Sequence, residues 1–318
     1  MKRIQLENRT DLKNEIPLES PYVIFIDPSS ACNFKCKFCM NHKIKNPKIM
    51  DSLVYKKIID DLQEFETPIK TIRLYGFGEP LFNKNFCDMV VYAKKSNKVI
   101  SVDTTTNASM LSPELIIKLV ESGIDRINIS INGLSDIDYK NFTGQQINFK
   151  NLVANISNLY DIKKDSTIVF IKINGDNLTP EQKGNFFDIF KPISDGCAIE
   201  YCSKCWYDTD IPNVNTEIGI YGQPLEDIKV CPYIFYTLVF QSSGESSICF
   251  LDWDKRMLIG DVRKKSVKQI WNSPILKKFQ IEMLKGYKTH ICSDCGQLRS
   301  GMPTNLDFYA NDILMRIK

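Results

Sequence analysis

Cys32, Cys36 and Cys39 stand in a C-x3-C-x2-C run, Ala31-Cys32-Asn33-Phe34-Lys35-Cys36-Lys37-Phe38-Cys39-Met40. Three thiolates in one short loop hold three irons of a cubane and leave the fourth iron without a protein ligand. An open iron binds a chelating small molecule, which is what a reactive cluster needs. A structural zinc knuckle is the alternative, with His42 as the fourth of zinc's closed ligands. A second set lies far down the chain: Cys231, Cys249 and the C-x2-C pair Cys292 and Cys295. Four thiolates saturate either a zinc ion or a second cubane, and ligand count alone leaves the two even. Of the other cysteines, Cys87 falls in a helix-like segment and reads as core packing. Cys197, Cys202 and Cys205 gather at the end of a strand, where packing and a substrate-side or metal role are equally open.

The rest of the composition narrows the chemistry. Eleven cysteines against two histidines, His42 and His290, favour thiolate-bound iron over a histidine-rich zinc or copper site. Met1 to Glu19 is polar and lacks the apolar core of a signal peptide, so the expected location is the cytoplasm. Thiols there stay reduced, and many of them point to metal or catalysis rather than disulfides. A net charge of +3 gives no reason to expect nucleic acid as a partner. The longest apolar runs, such as Tyr22 to Ile26 and Tyr233 to Phe240, are strand-length and too short to cross a membrane.

These residues need a scaffold, and the hydrophobic pattern supplies one. Tyr22 to Asp27, Lys70 to Tyr75, Val99 to Thr104, Arg126 to Ile131, Thr167 to Ile173 and Cys197 to Tyr201 read as strands. Ser52 to Phe65, Asn83 to Lys95, a segment opened by Ser112-Pro113, Asn151 to Tyr160 and a segment opened by Thr179-Pro180 read as the helices between them. Six alternations predict an α/β fold with a parallel sheet; periodicity does not separate a partial (β/α)6 barrel from a doubly wound sheet. Asp208 to Gly222 reads as a linker. Beyond it a hairpin, Thr237 to Phe240 with Ser247 to Phe250, and one helix from about Lys265 to Leu284 are expected. The expected division is an N-terminal extension over 1–20, the α/β part over 21–207 and a smaller part over 208–318.

In this order the residues resemble the radical S-adenosylmethionine (SAM) superfamily. Phe38 before Cys39 completes C-x3-C-x-aromatic-C after the first strand. Gly76-Phe77-Gly78-Glu79-Pro80 resembles the family's glycine-rich motif, Thr105-Thr106-Asn107-Ala108 its T-N-G segment, and Ser130-Ile131-Asn132-Gly133 its Ser-Ile-Asp-Gly segment, with Asn132 in place of the acid. All four fall at strand ends, where β/α barrels carry their sites. The resemblance implies a partial radical SAM barrel. It implies a SAM-binding [4Fe-4S] cluster on Cys32, Cys36 and Cys39, and SAM held near Phe38, Gly76, Gly78, Glu79, Pro80, Thr106, Asn107 and Ser130. Glycines let backbone carbonyls approach the SAM amino group, and Glu79 supports that loop.

The C-terminal part resembles a SPASM/twitch extension. Cys231-Pro232, Gly244, Cys249, Ile259-Gly260-Asp261, Ile270-Trp271-Asn272-Ser273-Pro274 and Cys292-x2-Cys295 carry that likeness. No cysteine follows Cys295, so the shortened form with one auxiliary [4Fe-4S] cluster on Cys231, Cys249, Cys292 and Cys295 is implied. Two kinds of relative share such an extension: alcohol dehydrogenases of aminocyclitols, and peptide modifiers including sulfatase-maturing enzymes. A small polar substrate, a sugar or aminocyclitol alcohol oxidised to the ketone, is the favoured expectation. The auxiliary cluster would accept the electron, Glu200 or Tyr201 the proton, and a flavodoxin- or ferredoxin-type donor would reduce the SAM-binding cluster. A radical SAM peptide modifier is the second reading. A zinc-stabilised binding protein, colourless and without SAM cleavage, is the third.

Overall fold

Short apolar, β-branched runs alternate with amphipathic stretches, and they fold as alternating strands and helices. The computed structural model describes residues 10–203, 205–207, 217–293, 295–300 and 304–317. Six strands come first: β1 (Val23–Ile26), β2 (Ile69–Leu74), β3 (Val99–Thr106), β4 (Arg126–Ile131), β5 (Ile168–Asn174) and β6 (Gly196–Glu200). Between them run α1 (Ser52–Asp61), α2 (Phe86–Lys95), α3 (Pro113–Glu121), α4 (Asp136–Thr143), α5 (Phe149–Ile162) and α6 (Pro180–Phe190). The sheet order is β6-β5-β4-β3-β2-β1, every pair parallel. Each new strand adds on the same side. A doubly wound sheet reverses at a switch point, so the order settles the choice in favour of a partial barrel.

The helices start and stop where side chains satisfy their free ends. Ser112 Oγ accepts the Leu115 N–H at the start of α3. Thr179 and Gln182 form a reciprocal capping box at α6. The helix expected from Asn83 begins only at Phe86. The Asn83 amide donates instead to the carbonyls of Pro28 (3.1 Å) and Met50 (3.3 Å), tying two loops together. α4 has no counterpart among the expected helices; its signals are the Ser135 cap and Gly144, which ends it with φ +72°. Ile127, Ile129 and Ile131 of β4 are buried against the helices. The alternate residues Arg126, Asn128 and Ser130 turn to the barrel interior, so the interior is polar on this strand.

The sheet does not stop at β1. β7 (Thr237–Phe240) pairs parallel to β1, from Val23↔Thr237 to Ile26↔Phe240, and β8 (Glu245–Ser247) and β9 (Leu258–Asp261) follow antiparallel. The hairpin's second strand lies earlier than Ser247 to Phe250, because the chain turns at Cys249, whose thiol accepts the Leu251 N–H at 3.3 Å. The single helix expected over Lys265 to Leu284 is two, α7 (Val267–Trp271) and α8 (Pro274–Leu284). Pro274 cannot continue a helix, and Ser273 caps the new one by accepting the Leu276 N–H. α9 (Ala310–Ile317) closes a second apolar cluster in which Leu12 and Ile16 meet Val230, Phe235, Met283 and Ile313. The N-terminal segment thus packs with the C-terminal part. Most of the expected linker, residues 208–216, lies outside the described residues. Among the described residues no helix is long and apolar enough to cross a membrane.

Candidate active site

At the C-terminal ends of the barrel strands a cavity of about 270 Å³ gathers the residues singled out from the sequence. Cys32, Cys36, Phe38 and Cys39 line one side, and Gly76, Gly78, Glu79, Thr106, Asn107 and Ser130 the next. Pro80 does not reach the cavity; it is buried in the turn that Glu79 opens. Lys172, Asn174, Glu200, Tyr201 and Cys202 complete the wall. Lys172 and Asn174 went unnoticed in the sequence. Lys172 had a signal, a lone charge in the otherwise apolar run Ile168–Ile173.

The loops are cross-tied. A Cβ on Gly78 would lie 2.2 Å from the Ser29 carbonyl oxygen and 2.3 Å from that of Ala31. Glycine is therefore required for the second loop to lie on the cysteine loop, a reason beyond room for a ligand. The Glu79 N–H donates to the Ala31 carbonyl at 2.9 Å. The Asn41 amide donates to the carbonyls of Ser30 (2.7 Å) and Phe77 (2.8 Å). Asn107 Nδ2 donates to Asn33 Oδ1 at 3.0 Å, and Asn33 Nδ2 donates to Ser109 Oγ at 2.8 Å. Glu79, buried, accepts from Thr106 Oγ1 (2.5 Å), the Asn107 N–H (2.8 Å) and the Leu81 N–H (3.2 Å). These contacts tie the second loop to the third.

The donor set fits thiolate-bound iron. Backbone N–H groups two residues on donate to Cys32 Sγ (3.4 Å) and Cys39 Sγ (3.5 Å), and hydrogen bonds of this kind stabilise sulfur anions. Burial pushes the free Cys32 thiol up to about 11, with the charges of Glu79 and Cys39 adding to it, and raises Cys36 and Cys39 as well. The thiols therefore keep their protons at neutral pH until a metal displaces them. Among the described residues no three His, Cys, Asp or Glu groups converge closely enough for a single ion. Cys32, Cys36 and Cys39 line one cavity, each able to supply a thiolate to its own iron. His42, the ligand a zinc knuckle would require, is exposed.

Cys231, Cys249, Cys292 and Cys295 form a second group. Burial raises the Cys249 thiol first, and the other three thiols each raise it further. Phe250, beside Cys249, stacks on Phe25 of β1 at 4.9 Å and meets Tyr233 at 4.8 Å. That aromatic seat joins the second cysteine group to the barrel. The segment Cys205 to Tyr207 runs between the two groups. Trp206 Nε1 donates to the Phe38 carbonyl at 3.2 Å, and the Tyr207 hydroxyl donates to Asp252 Oδ1 at 3.1 Å. Cys202 lines the cavity; its thiol accepts from Asn174 Nδ2 at 2.7 Å and its N–H donates to Asp176 Oδ2 at 2.8 Å. Cys87 and Cys197 pack against the main core.

Asp27, at the end of β1, is 4% exposed, and neither carboxylate oxygen makes a well-formed hydrogen bond among the described residues. Burial pushes its pKa up to about 7, and nearby donors from Ser242, Ser29 and Phe77 offset only part of that. The folded state then holds a proton that the unfolded chain releases from about pH 4. Stability therefore falls as pH rises from about 4 to 7, by about 4 kcal/mol in all, and stays low above that. Asp27→Asn is expected to flatten this fall. Unfolding midpoints of both proteins from pH 5 to 8 check it; parallel curves would refute the assignment.

Residues 26–182 match the Radical SAM superfamily, and residues 231–296 match SPASM, an iron-sulfur cluster-binding domain. The tungsten-containing aldehyde ferredoxin oxidoreductase cofactor-modifying protein of Pyrococcus furiosus is 30% identical over 112 residues, 35% of this chain and 31% of that protein. The chain spans half or less of the curated relatives it matches first. Among solved structures, BtrN in complex with AdoMet and 2-DOIA is 18% identical, with a TM-score of 0.58 over 90% of this chain and 97% of that one. Streptococcus suis SuiB bound to precursor peptide SuiA is 14% identical, with a TM-score of 0.66 over 90% of this chain and 72% of that one. At these identities the two structures establish a shared fold.

Proposed function

We propose that this chain, which belongs to the radical SAM superfamily and carries a SPASM domain, oxidises an alcohol of a small polar molecule, a sugar or aminocyclitol, to the ketone. Its cofactors are [4Fe-4S] clusters and SAM. When bound, they supply a 5′-deoxyadenosyl radical that takes a hydrogen atom from the substrate carbon, and a sink for the one electron that must then leave. Cys32, Cys36 and Cys39 would hold the reactive cluster, and Cys231, Cys249, Cys292 and Cys295 the auxiliary one. Glu79 orients the Thr106–Asn107 loop beside the cavity.

The observation that carries this reading is the ion pair between Lys172 Nζ and Glu200 Oε2, 3.3 Å apart on the wall of the cysteine-lined cavity. Both side chains are less than a fifth exposed. A partly buried ion pair is a poor device for stability. Facing a cavity, it offers an acceptor for a hydroxyl proton and a cation beside that acceptor. Glu200 takes the hydroxyl proton as the hydrogen atom leaves the carbon; with one hydrogen atom, one proton and one electron gone, an alcohol has become a ketone. BtrN, which this chain covers nearly end to end, has 2-DOIA in its solved structure, and that supports a small substrate. The higher TM-score to peptide-bound SuiB favours the second reading, a peptide modifier.

Glu200→Gln is expected to lower ketone formation by about 10²- to 10⁴-fold while 5′-deoxyadenosine is still released from SAM. The assay compares sugars, aminocyclitols and peptides for stimulation of 5′-deoxyadenosine release by the anaerobically reconstituted protein. Stimulation by peptides alone would replace the first reading with the second.

A further inference from the structure

The three thiols of the cysteine-lined cavity are not equally provided for. Cys32 Sγ accepts the Phe34 N–H, and Cys39 Sγ accepts the Asn41 N–H. Among the described residues no N–H of another residue reaches Cys36 Sγ. The polar group that Cys36 does meet is the Asn132 side chain, to whose Oδ1 it donates at 3.9 Å. Asn132 is 9% exposed and lines the same cavity. It stands at the end of β4, where the resembling segment carries an acid.

One helix fixes this meeting. α4 holds Cys36 from both sides: the Lys35 N–H donates to the Thr143 carbonyl at 2.8 Å, and the Lys37 N–H donates to the Phe142 carbonyl at 3.1 Å. From the same helix the Tyr139 hydroxyl accepts the Asn132 N–H at 3.2 Å. Tyr139 is fully buried and packs on Phe34 of the cysteine loop. The approach of Asn132 to Cys36 is therefore set by the packing of α4, independently of the contact itself.

The hydrogen-bonding needs of Cys36 reverse when a metal replaces its proton. A thiol is a weak donor and suits the amide oxygen. A metal-bound thiolate only accepts. A carboxamide answers both states, because a half-turn about its last side-chain bond puts an NH2 where the oxygen was. The half-turn gives up the bond from Nδ2 to the Ser130 carbonyl, 3.3 Å long. A bond to a charged acceptor is about twice as strong as such a neutral one, so the turned amide is favoured. A carboxylate in this place would have only acceptors to offer.

We propose that Asn132, acting through Cys36, sets the reduction potential of the cluster on Cys32, Cys36 and Cys39: its amide donates to the Cys36 sulfur and makes the cluster easier to reduce. The inference rests on the reading that these three cysteines hold a [4Fe-4S] cluster. Hydrogen bonds to ligand sulfurs and nearby charge govern such potentials, because a donor stabilises the negative charge that reduction adds. With Asn132 turned, each of the three sulfurs has an N–H.

The test uses the anaerobically reconstituted full chain as wild type, Asn132→Asp and Asn132→Leu. Reductive titrations followed by electron paramagnetic resonance give the potential of each cluster; the SAM-binding one is the one whose signal changes when SAM is added. Both variants are expected to disfavour reduction of that cluster by about tenfold or more, about 59 mV for one electron, with the auxiliary cluster unmoved. A wild-type potential in both variants, even with weakened SAM binding, would make Asn132 a SAM contact or a packing residue and overturn the proposal. A raised potential, or an equal shift of both clusters, would overturn it too. Should neither variant hold iron, the wild type decides. With isotopically labelled nitrogen in its asparagine side chains, the reduced cluster should show a nitrogen coupling. The amides of Asn33, Asn41, Asn107 and Asn174 donate elsewhere, so the coupling reports Asn132, and its absence would overturn the proposal. A wild type without a SAM-responsive signal would remove the cluster reading itself, and the role of Asn132 with it.

Discussion

Replacing Cys32, Cys36 and Cys39 together by Ala is expected to cut the iron content from about eight to about four per chain and to abolish SAM cleavage. Besides the two N–H bonds that Cys32 and Cys39 accept, the loop is held by contacts that do not pass through the thiols. Asn41 ties it to Ser30 and Phe77, Ser30 to Lys48, and Asn33 to Asn107 and Ser109. Phe34, buried at the loop's centre, packs edge-on to Tyr139 at 6.0 Å. The variant should therefore keep wild-type circular dichroism while losing one cluster, so that lost cleavage reports chemistry rather than unfolding. Iron and sulfide counts with an assay for 5′-deoxyadenosine read both quantities. About four irons in the wild type and almost none in the variant would leave Cys231, Cys249, Cys292 and Cys295 without a cluster, and the ketone-forming reading without its electron acceptor. Cleavage surviving in the variant would sink the assignment of the reactive site.

How much of this was legible in the sequence follows the range of each signal. Strands and helices up to Glu200 are local patterns of period two and 3.6, and each expected strand lies where a strand is found. Barrel against doubly wound sheet was not legible, because it depends on which side of the sheet each strand joins. The parallel pairing of Thr237–Phe240 with Val23–Ile26 was missed for the same reason. A hairpin announces its own partner, but nothing in four apolar residues names a third strand more than two hundred positions away. Other misses had local signals that apolar content outweighed. Ser273-Pro274 is a cap followed by a residue that ends the preceding helix, and Ser135 with Gly144 brackets α4. The first cysteine set was legible because its ligand spacing is written in the chain; the second was legible as a cluster set only through its likeness to a SPASM/twitch extension. The Lys172–Glu200 pair was half legible: Glu200 stood out at a strand end, but its partner lies on the neighbouring strand, and only register brings them together.

Glu79 carries the other large expected effect, and it acts through donors rather than through charge pairing. Three groups converge on its buried carboxylate: Thr106 Oγ1, the Asn107 N–H and the Leu81 N–H. Thr106 Oγ1 cannot simply turn away, because it also accepts the Ala108 N–H at 3.0 Å. Glu79→Ala leaves all three donors without a partner, each at about 1–3 kcal/mol, and a loss of about 3–5 kcal/mol in unfolding free energy is expected. Glu79→Gln separates volume from acceptor chemistry. Its amide keeps one oxygen for Thr106 and Leu81 but turns an NH2 toward the Asn107 N–H, donor against donor, so an isosteric change should still cost about 1–3 kcal/mol. Urea unfolding of the three proteins gives the ranking wild type, Gln, Ala. The functional consequence follows from what those donors hold. Asn107 anchors Asn33 on the cysteine loop, so a freed Asn107 loosens the second, third and cysteine loops together. SAM affinity in the Gln variant should fall with its stability. A Gln variant as stable as wild type would show that the carboxylate is replaceable and that the loops are held by the glycine packing at Gly78 instead.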